Sequence, residues 1–189
     1  MMNKIKVVGF GGSLRRRSYN RALLEECVNL MPENSELNIF DILQIPIFNQ
    51  DDEETPPEIV KEFKDAIRRS DAVLVVTPEY NYSIPGFLKN AIDYASRPAT
   101  DNVFKHKPVA LMSASVSILG GSRAQYHLRQ VFVFLDSFVI NKPEVFVTVA
   151  HTKFDQDLKL MDNNSKDIMK QLLQNLVSSV RDQKKLLNE

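Results

Sequence analysis

Cysteine is almost absent from this 189-residue sequence: Cys27 stands alone, which excludes an intramolecular disulfide and any zinc site built from several thiolates. Net charge is absent too. The 24 acidic residues balance 24 basic ones, so no whole-molecule field recruits nucleic acid or an acidic membrane, and partners must be recognised by local sites. No apolar run has the length of a membrane span, and the one opening at Ile5 is too short for a signal-peptide core. The cytoplasm is the expected compartment, and the Asn-x-Ser matches at Asn81 and Asn163 are expected to be chance. The three histidines, His106, His127 and His151, lie in separate segments without metal-ligand spacing, so structural roles and no metal are expected. Cys27 itself reads as a core residue.

What the chain does have is a soluble, globular composition, 43% hydrophobic and 25% charged, long enough for one domain over residues 1–189. Apolar strands alternate with helical patterns from end to end. Ile5 to Phe10 reads as a buried strand ending at Gly11-Gly12, followed from about Asn20 by a helix carrying Leu23, Cys27 and Leu30 and stopping at Pro32. Leu37 to Phe40 reads as a second strand, and Asp41 to Pro57 as an irregular loop with a solvated acidic run. Pro57 suits the first turn of a helix whose apolar face is Ile59, Phe63, Ala66 and Ile67. Ala72 to Thr77 is continuously apolar, as parallel strands covered on both faces tend to be. A helix from Pro85 to about Ser96, a strand over Val109 to Met112 and a helix from Gly120-Gly121-Ser122 through Phe134 follow. Phe138 to Ile140, resumed by Val145 to Val149, reads as the fifth strand, and Ile168, Leu172, Leu176 and Val180 stripe a last helix. This predicts an α/β fold, a doubly wound five-stranded parallel sheet with helices on both faces. Ligands of such sheets bind beyond the carboxyl ends of the strands, so the loops after strands one, three and four matter most.

The first of these loops, "GSLRRRSYN", contains neither Gly-Lys-Ser/Thr nor Gly-x-Gly-x-x-Gly. At a helix N-terminus, with Ser13, Ser18 and Asn20 as donors and Arg15 as a charged one, it suits a terminal phosphate. It equally suits a Ser18 cap beside solvated arginines. The second, "TPEYNYSIPG", has proline near each end and two tyrosines with Asn81 between, a combination that can face a planar ligand. Glu79 reads either as an acid at the site or as a carboxylate fixing the loop. The third, Ser113 to Gln130, has small residues that admit a ring closely, and Gly120-Gly121 for unusual backbone.

Gly12-Ser13-Leu14-Arg15 with Ser18 and Asn20, then Pro78 to Ser83, then Gly120-Gly121 with Arg123 and Gln125 to Gln130, resemble the NADPH-dependent FMN reductase family. The likeness runs in order from about residue 4 to 150, nearest the bacterial soluble quinone, chromate and azo reductases. It implies a flavodoxin-like fold, non-covalent FMN, and a homodimer or homotetramer without nucleic acid or membrane partners. It implies a ping-pong cycle in which NADPH or NADH passes a hydride to FMN, after which a quinone, an azo or nitro compound, or a metal oxyanion such as chromate takes the electrons. By the same resemblance Ser13, Arg15, Ser18, Tyr19 and Asn20 hold the FMN phosphate, and Pro78, Glu79, Tyr80 and Asn81 lie along the isoalloxazine edge. Ser113, Ala114 and Ser115 lie against the ribityl chain or ring. Tyr82, Ser117 and Gly120 border the substrate pocket, where related sequences often have glycine in place of Ser117. Arg123, Tyr126, Arg129 and Glu144 are assigned to a subunit contact. No catalytic side chain is required, since the flavin carries the chemistry. A flavin reductase supplying reduced FMN to a partner and a flavodoxin-type electron carrier are the alternatives.

Overall fold

Five consecutive residues without solvent exposure make β3 (Ala72–Val76) the centre of the protein, with strands hydrogen-bonded on both sides. Its neighbours are β1 (Ile5–Gly11) and β4 (Pro108–Ala114), and β2 (Ser35–Ile39) pairs with β1 at the edge. All pairings are parallel and the order β2-β1-β3-β4 is the doubly wound arrangement expected. The computed structural model describes residues 4–186.

The far edge differs from the single fifth strand expected. Phe138–Val139 (β5) pairs with the start of β4, and Val145–Val147 (β6) pairs with its end, so the sheet has six strands. The connecting segment Ile140 to Glu144 carries Pro143, which cannot donate a ladder hydrogen bond. The apolar pattern on either side is the same, so the sequence alone reads as one interrupted strand.

Each face of the sheet is covered by a different set of helices. On one, α1 (Tyr19–Leu30) and α5 (Asn163–Leu186) bury Leu23, Leu24 and Cys27 with Met169, Leu173 and Leu176 against Val7, Leu74 and Met112. On the other, α2 (Glu58–Arg69), α3 (Gly86–Ala95) and α4 (Ser122–Phe134) cover Val8, Phe10, Val75 and Leu111. Cys27 is fully buried, its thiol 3.5 Å from the Met112 sulfur, and burial pushes its pKa far up, so it is an inert core side chain.

The second helix is placed one residue later than the sequence suggests. Pro57 is the cap rather than the first turn, and the buried face is Val60, Phe63, Lys64 and Ile67, with Ile59 and Ala66 only half-buried. Lys64 is the unexpected member. Its side chain is only 5% exposed, and its ammonium reaches out of the core to the Arg97 carbonyl and, at 2.6 Å, to Asp101. Arg68 completes the cluster with a two-point contact to the same carboxylate at 2.6 and 2.7 Å.

Burial would raise the Asp101 carboxyl, but hydrogen bonds from Lys64 and Arg68 outweigh it and hold the group below the usual aspartate range. A carboxyl depressed on folding contributes stability above its unfolded pKa of about 4, and that contribution is lost as pH falls through the folded value. Asp101→Asn is expected to lower unfolding free energy by about 1 kcal/mol at neutral pH, a modest figure because water screens the carboxylate. Its deficit against the wild type should shrink on acidification below about pH 4. Urea unfolding of both proteins at neutral and acid pH checks size and direction.

Candidate active site

The three loops converge at the carboxyl end of the sheet and are tied to one another in pairs. Asn20 ties the first to the third: its amide donates to the Ala114 carbonyl and accepts from the Ala114 N–H, both at 2.8 Å and buried. Gly12 ties the first to the second. Its N–H donates to the Val76 carbonyl at 2.8 Å, and a Cβ there would lie 2.7 Å from Thr77 Oγ1 and 2.9 Å from Leu88, so only glycine lets the loops approach this closely. Glu79 ties the second to the third, accepting from the Arg123 and Ala124 N–H groups at 3.1 and 3.4 Å.

The second loop is a tight turn. Tyr80 and Ser83 exchange backbone hydrogen bonds at 2.9 Å across Asn81 and Tyr82, both in the left-handed region with φ of 50° and 67°. Asn tolerates that region; a tyrosine there is strained. The cost is offset by the Arg123 guanidinium, 3.9 Å from the Tyr82 ring centroid and also 3.5 Å from Glu79. His127 Nδ1 lies 3.1 Å from the Ser83 hydroxyl, a further tie to α4.

Two expected ligands have structural work. Asn20 gives one amide N–H and its amide oxygen to Ala114, which fixes its place in the loop and leaves its second amide N–H as a donor. Ser113 is fully buried; its hydroxyl donates to the Gly120 carbonyl at 2.6 Å and accepts from Gln125 at 2.7 Å. A Cβ at Gly121, where φ is 88°, would strike Ser113 at 2.8 Å, so Ser113 is a floor under the third loop. The Glu79 carboxylate fixes its loop to α4, while Tyr80 and Tyr82 of the adjoining turn are exposed. Ser18 caps α1, accepting from the Arg21 N–H at 3.3 Å.

The remaining groups fit an anion. Acids are supplied to three other helix starts: Glu58 in the first turn of α2, Glu79 at α4, and Asp162, which accepts from the Ser165 N–H, at α5, while α3 opens after Pro85 without one and without an arginine in its first turn. The first turn of α1 has none. Its free N–H groups therefore keep their partial positive charge, next to half-buried Ser13 and exposed Arg15. Arg15 is held 5.7 Å from the Tyr19 ring centroid, and that ring rests on Phe154 at 5.1 Å. Arg17 donates to the Gln156 carbonyl and is anchored away from the loop. A phosphate monoester suits this donor set, and the exposed Tyr80 and Tyr82 of the second loop can face a flat ring, so the residues fit FMN.

The residues assigned to a subunit contact divide. Arg123 belongs to the loop clamp, while Tyr126 is half-exposed against Phe146. Arg129 donates to the Ile140 carbonyl at 3.3 Å, and Glu144 lies 3.4 Å from Lys142. A separate groove of about 660 Å³ runs between α3 and α4, lined by Ile84, Ile92, Val131 and the exposed Phe134 among others. Sequence reasoning missed Thr77 and Gln125 as supports of the site, since nothing local marks them.

Comparison with known proteins agrees with this geometry. Residues 5–152 match the family model described as NADPH-dependent FMN reductase. An NAD(P)H-dependent FMN reductase of Pseudomonas aeruginosa is 46% identical over 182 residues, 96% of this chain and 98% of that one. A quinone reductase of Escherichia coli is 42% identical over 171 residues, 88% and 90% of the two chains. Among solved structures, the flavoenzyme NAD(P)H:acceptor oxidoreductase FerB of Paracoccus denitrificans superposes with a TM-score of 0.86 at 31% identity, covering 94% of this chain and 98% of that one. The chain belongs to the NADPH-dependent FMN reductase family.

Proposed function

We propose that this protein is an FMN-dependent NAD(P)H:quinone reductase whose phosphate cradle is the N-terminus of α1 with Ser13, Arg15 and Ser18. The observation that carries the reading is the distribution of acids: α1 meets the site without a carboxylate and with a fixed arginine beside it. The net reaction converts NAD(P)H, a proton and a quinone into NAD(P)⁺ and a hydroquinone. FMN, when bound, supplies the two-electron relay between nicotinamide and acceptor. The protein's part is placement: the α1 terminus fixes one end of the cofactor, and the Tyr80 to Ser83 turn presents backbone groups beside its ring. Tyr19 buttresses Arg15, and Ala114 and Ser115 border the cradle from β4. Azo and nitro compounds and chromate are further acceptors under this reading, and NADPH and NADH are both donors. Its place is the cytoplasm, as a single domain over residues 1–189.

Assembly as a homodimer or homotetramer is part of the same reading, with Arg123, Tyr126, Arg129 and Glu144 at one contact. The exposed Tyr126 ring and the Arg123 guanidinium are favourable interface chemistry, and Glu144 lies beside Lys142 in the same region.

Purified protein carrying FMN should oxidise NADPH in the presence of a quinone, and the FMN-free protein should not; equal rates without FMN would end the proposal. Arg15→Ala should weaken FMN about tenfold or more, the loss of one charge-assisted hydrogen bond, yet leave riboflavin, which lacks the phosphate, nearly unaffected. Quenching of flavin fluorescence measures both affinities, and an equal loss for the two ligands would remove Arg15 from the phosphate site. Arg123→Ala and Glu144→Ala should each lower the sedimenting mass, and unchanged assembly in both would dismiss that contact.

A further inference from the structure

Seven non-glycine residues in the described part of the chain adopt positive φ, and Val149 is the only β-branched one, with φ 48° and ψ 41°. A branched Cβ makes this conformation costly, and such strain persists only where surrounding structure over-determines it. The surroundings are the third loop. Val149 N–H donates to the Ser117 carbonyl at 3.1 Å, Ala150 N–H to the Ser115 carbonyl at 2.9 Å, and Ser115 N–H to the Val147 carbonyl at 3.0 Å. Beyond β6 the chain thus stays paired with the loop after β4, and the left-handed turn at Val149 keeps consecutive N–H groups on it.

The loop is also stiffened from within. Ser115 Oγ accepts from the Ser117 N–H at 3.1 Å, Ser117 Oγ from the Leu119 N–H at 3.2 Å, and the Ser117 carbonyl from the Gly120 N–H at 3.3 Å. What this fixed backbone displays is apolar: Val116 is 59% exposed and Ile118 82%. They stand at the same end of the sheet as the exposed Tyr80 and Tyr82. A flexible loop would fold such side chains inward; a pinned one keeps them available to an apolar ligand.

We infer that Val149 is a positioning residue, its left-handed backbone holding the Ser115–Leu119 segment so that Val116 and Ile118 form a fixed apolar wall for lipophilic quinone acceptors. The inference rests on the reductase reading above. Small hydrophilic acceptors gain nothing from such a wall, so the wall selects among acceptors.

Val149→Pro removes the N–H and forbids positive φ, whereas Val149→Asn keeps both, since Asn enters the left-handed region readily. The proline variant, assayed with saturating FMN, should raise KM for an alkyl naphthoquinone about tenfold, keeping KM for ferricyanide within about twofold. In the FMN-free protein it should speed hydrogen exchange at the Leu119 and Gly120 amides by about tenfold. The Asn variant should match the wild type in every readout. A folded proline variant with unchanged exchange and quinone KM, or an Asn variant equally impaired, overturns the inference. Should the proline variant fail to fold, Ile118→Ser, which leaves the backbone intact, decides: a raised quinone KM with ferricyanide unaffected supports the wall, and an unchanged one overturns it. Failure of the reductase reading itself would appear separately, as wild-type protein that binds no FMN while the exchange difference persists.

Discussion

The buried pair of hydrogen bonds between the Asn20 amide and the Ala114 backbone is the constraint on which the site depends. It joins the start of α1 to the end of β4, across a sheet in which β3 separates β1 from β4. Without it the Ala114 N–H and carbonyl would be left buried and unpaired, at about 1–3 kcal/mol for each group. The first and third loops would then lose their common reference. Gly12 against Thr77 and Glu79 against α4 close the other two sides of the triangle, so the rim is assembled from backbone contacts rather than from ligand-seeking side chains. A site built in this way keeps its shape before any cofactor arrives, and little ordering remains to be done on binding.

Charge is organised with the same economy. A protein with no net charge has no long-range field with which to gather a phosphate, so local placement must do it. Carboxylates neutralise the starts of α2, α4 and α5, and the start of α1 is the one at the rim flanked by arginines instead. Arg17 is drawn off to Gln156 while Arg15 is kept by Tyr19. Three adjacent arginines that look alike in the sequence are thereby given different roles by their neighbours in space.

Much of this was legible in the sequence, for reasons particular to the elements. Ala72 to Thr77 reads unambiguously because a strand buried on both faces has no polar alternation to confuse it. The first loop stands out because its residue types and its place between a strand and a helix coincide. Lys64 was illegible as a core residue: only the tertiary arrangement puts the Arg97 carbonyl and Asp101 where its ammonium can leave the core. The structural contacts of Asn20 with Ala114 and of Ser113 with Gly120 were illegible, because an amide or hydroxyl that satisfies backbone looks the same, in sequence, as one that binds a ligand. The fifth strand reads as continuous because the turn dividing it lies between two runs of identical character.

Strain distinguishes the second and third loops from the first. Asn81 and Tyr82 in the second loop, and Val149 behind the third, adopt positive φ, while no non-glycine residue from Ser13 to Asn20 does. A phosphate is bound by donors that a regular helix end already provides, so no unusual backbone is needed there. A flat ring and a variable acceptor require walls at set heights, which regular elements do not provide at their ends. Conformations costing about 1–3 kcal/mol each survive in those walls because rigid partners hold them: α4 beneath the Tyr82 turn, and the sheet edge at β6 beside Val149. The same fold can therefore keep one anchoring end fixed while the strained walls at the other set which acceptors fit.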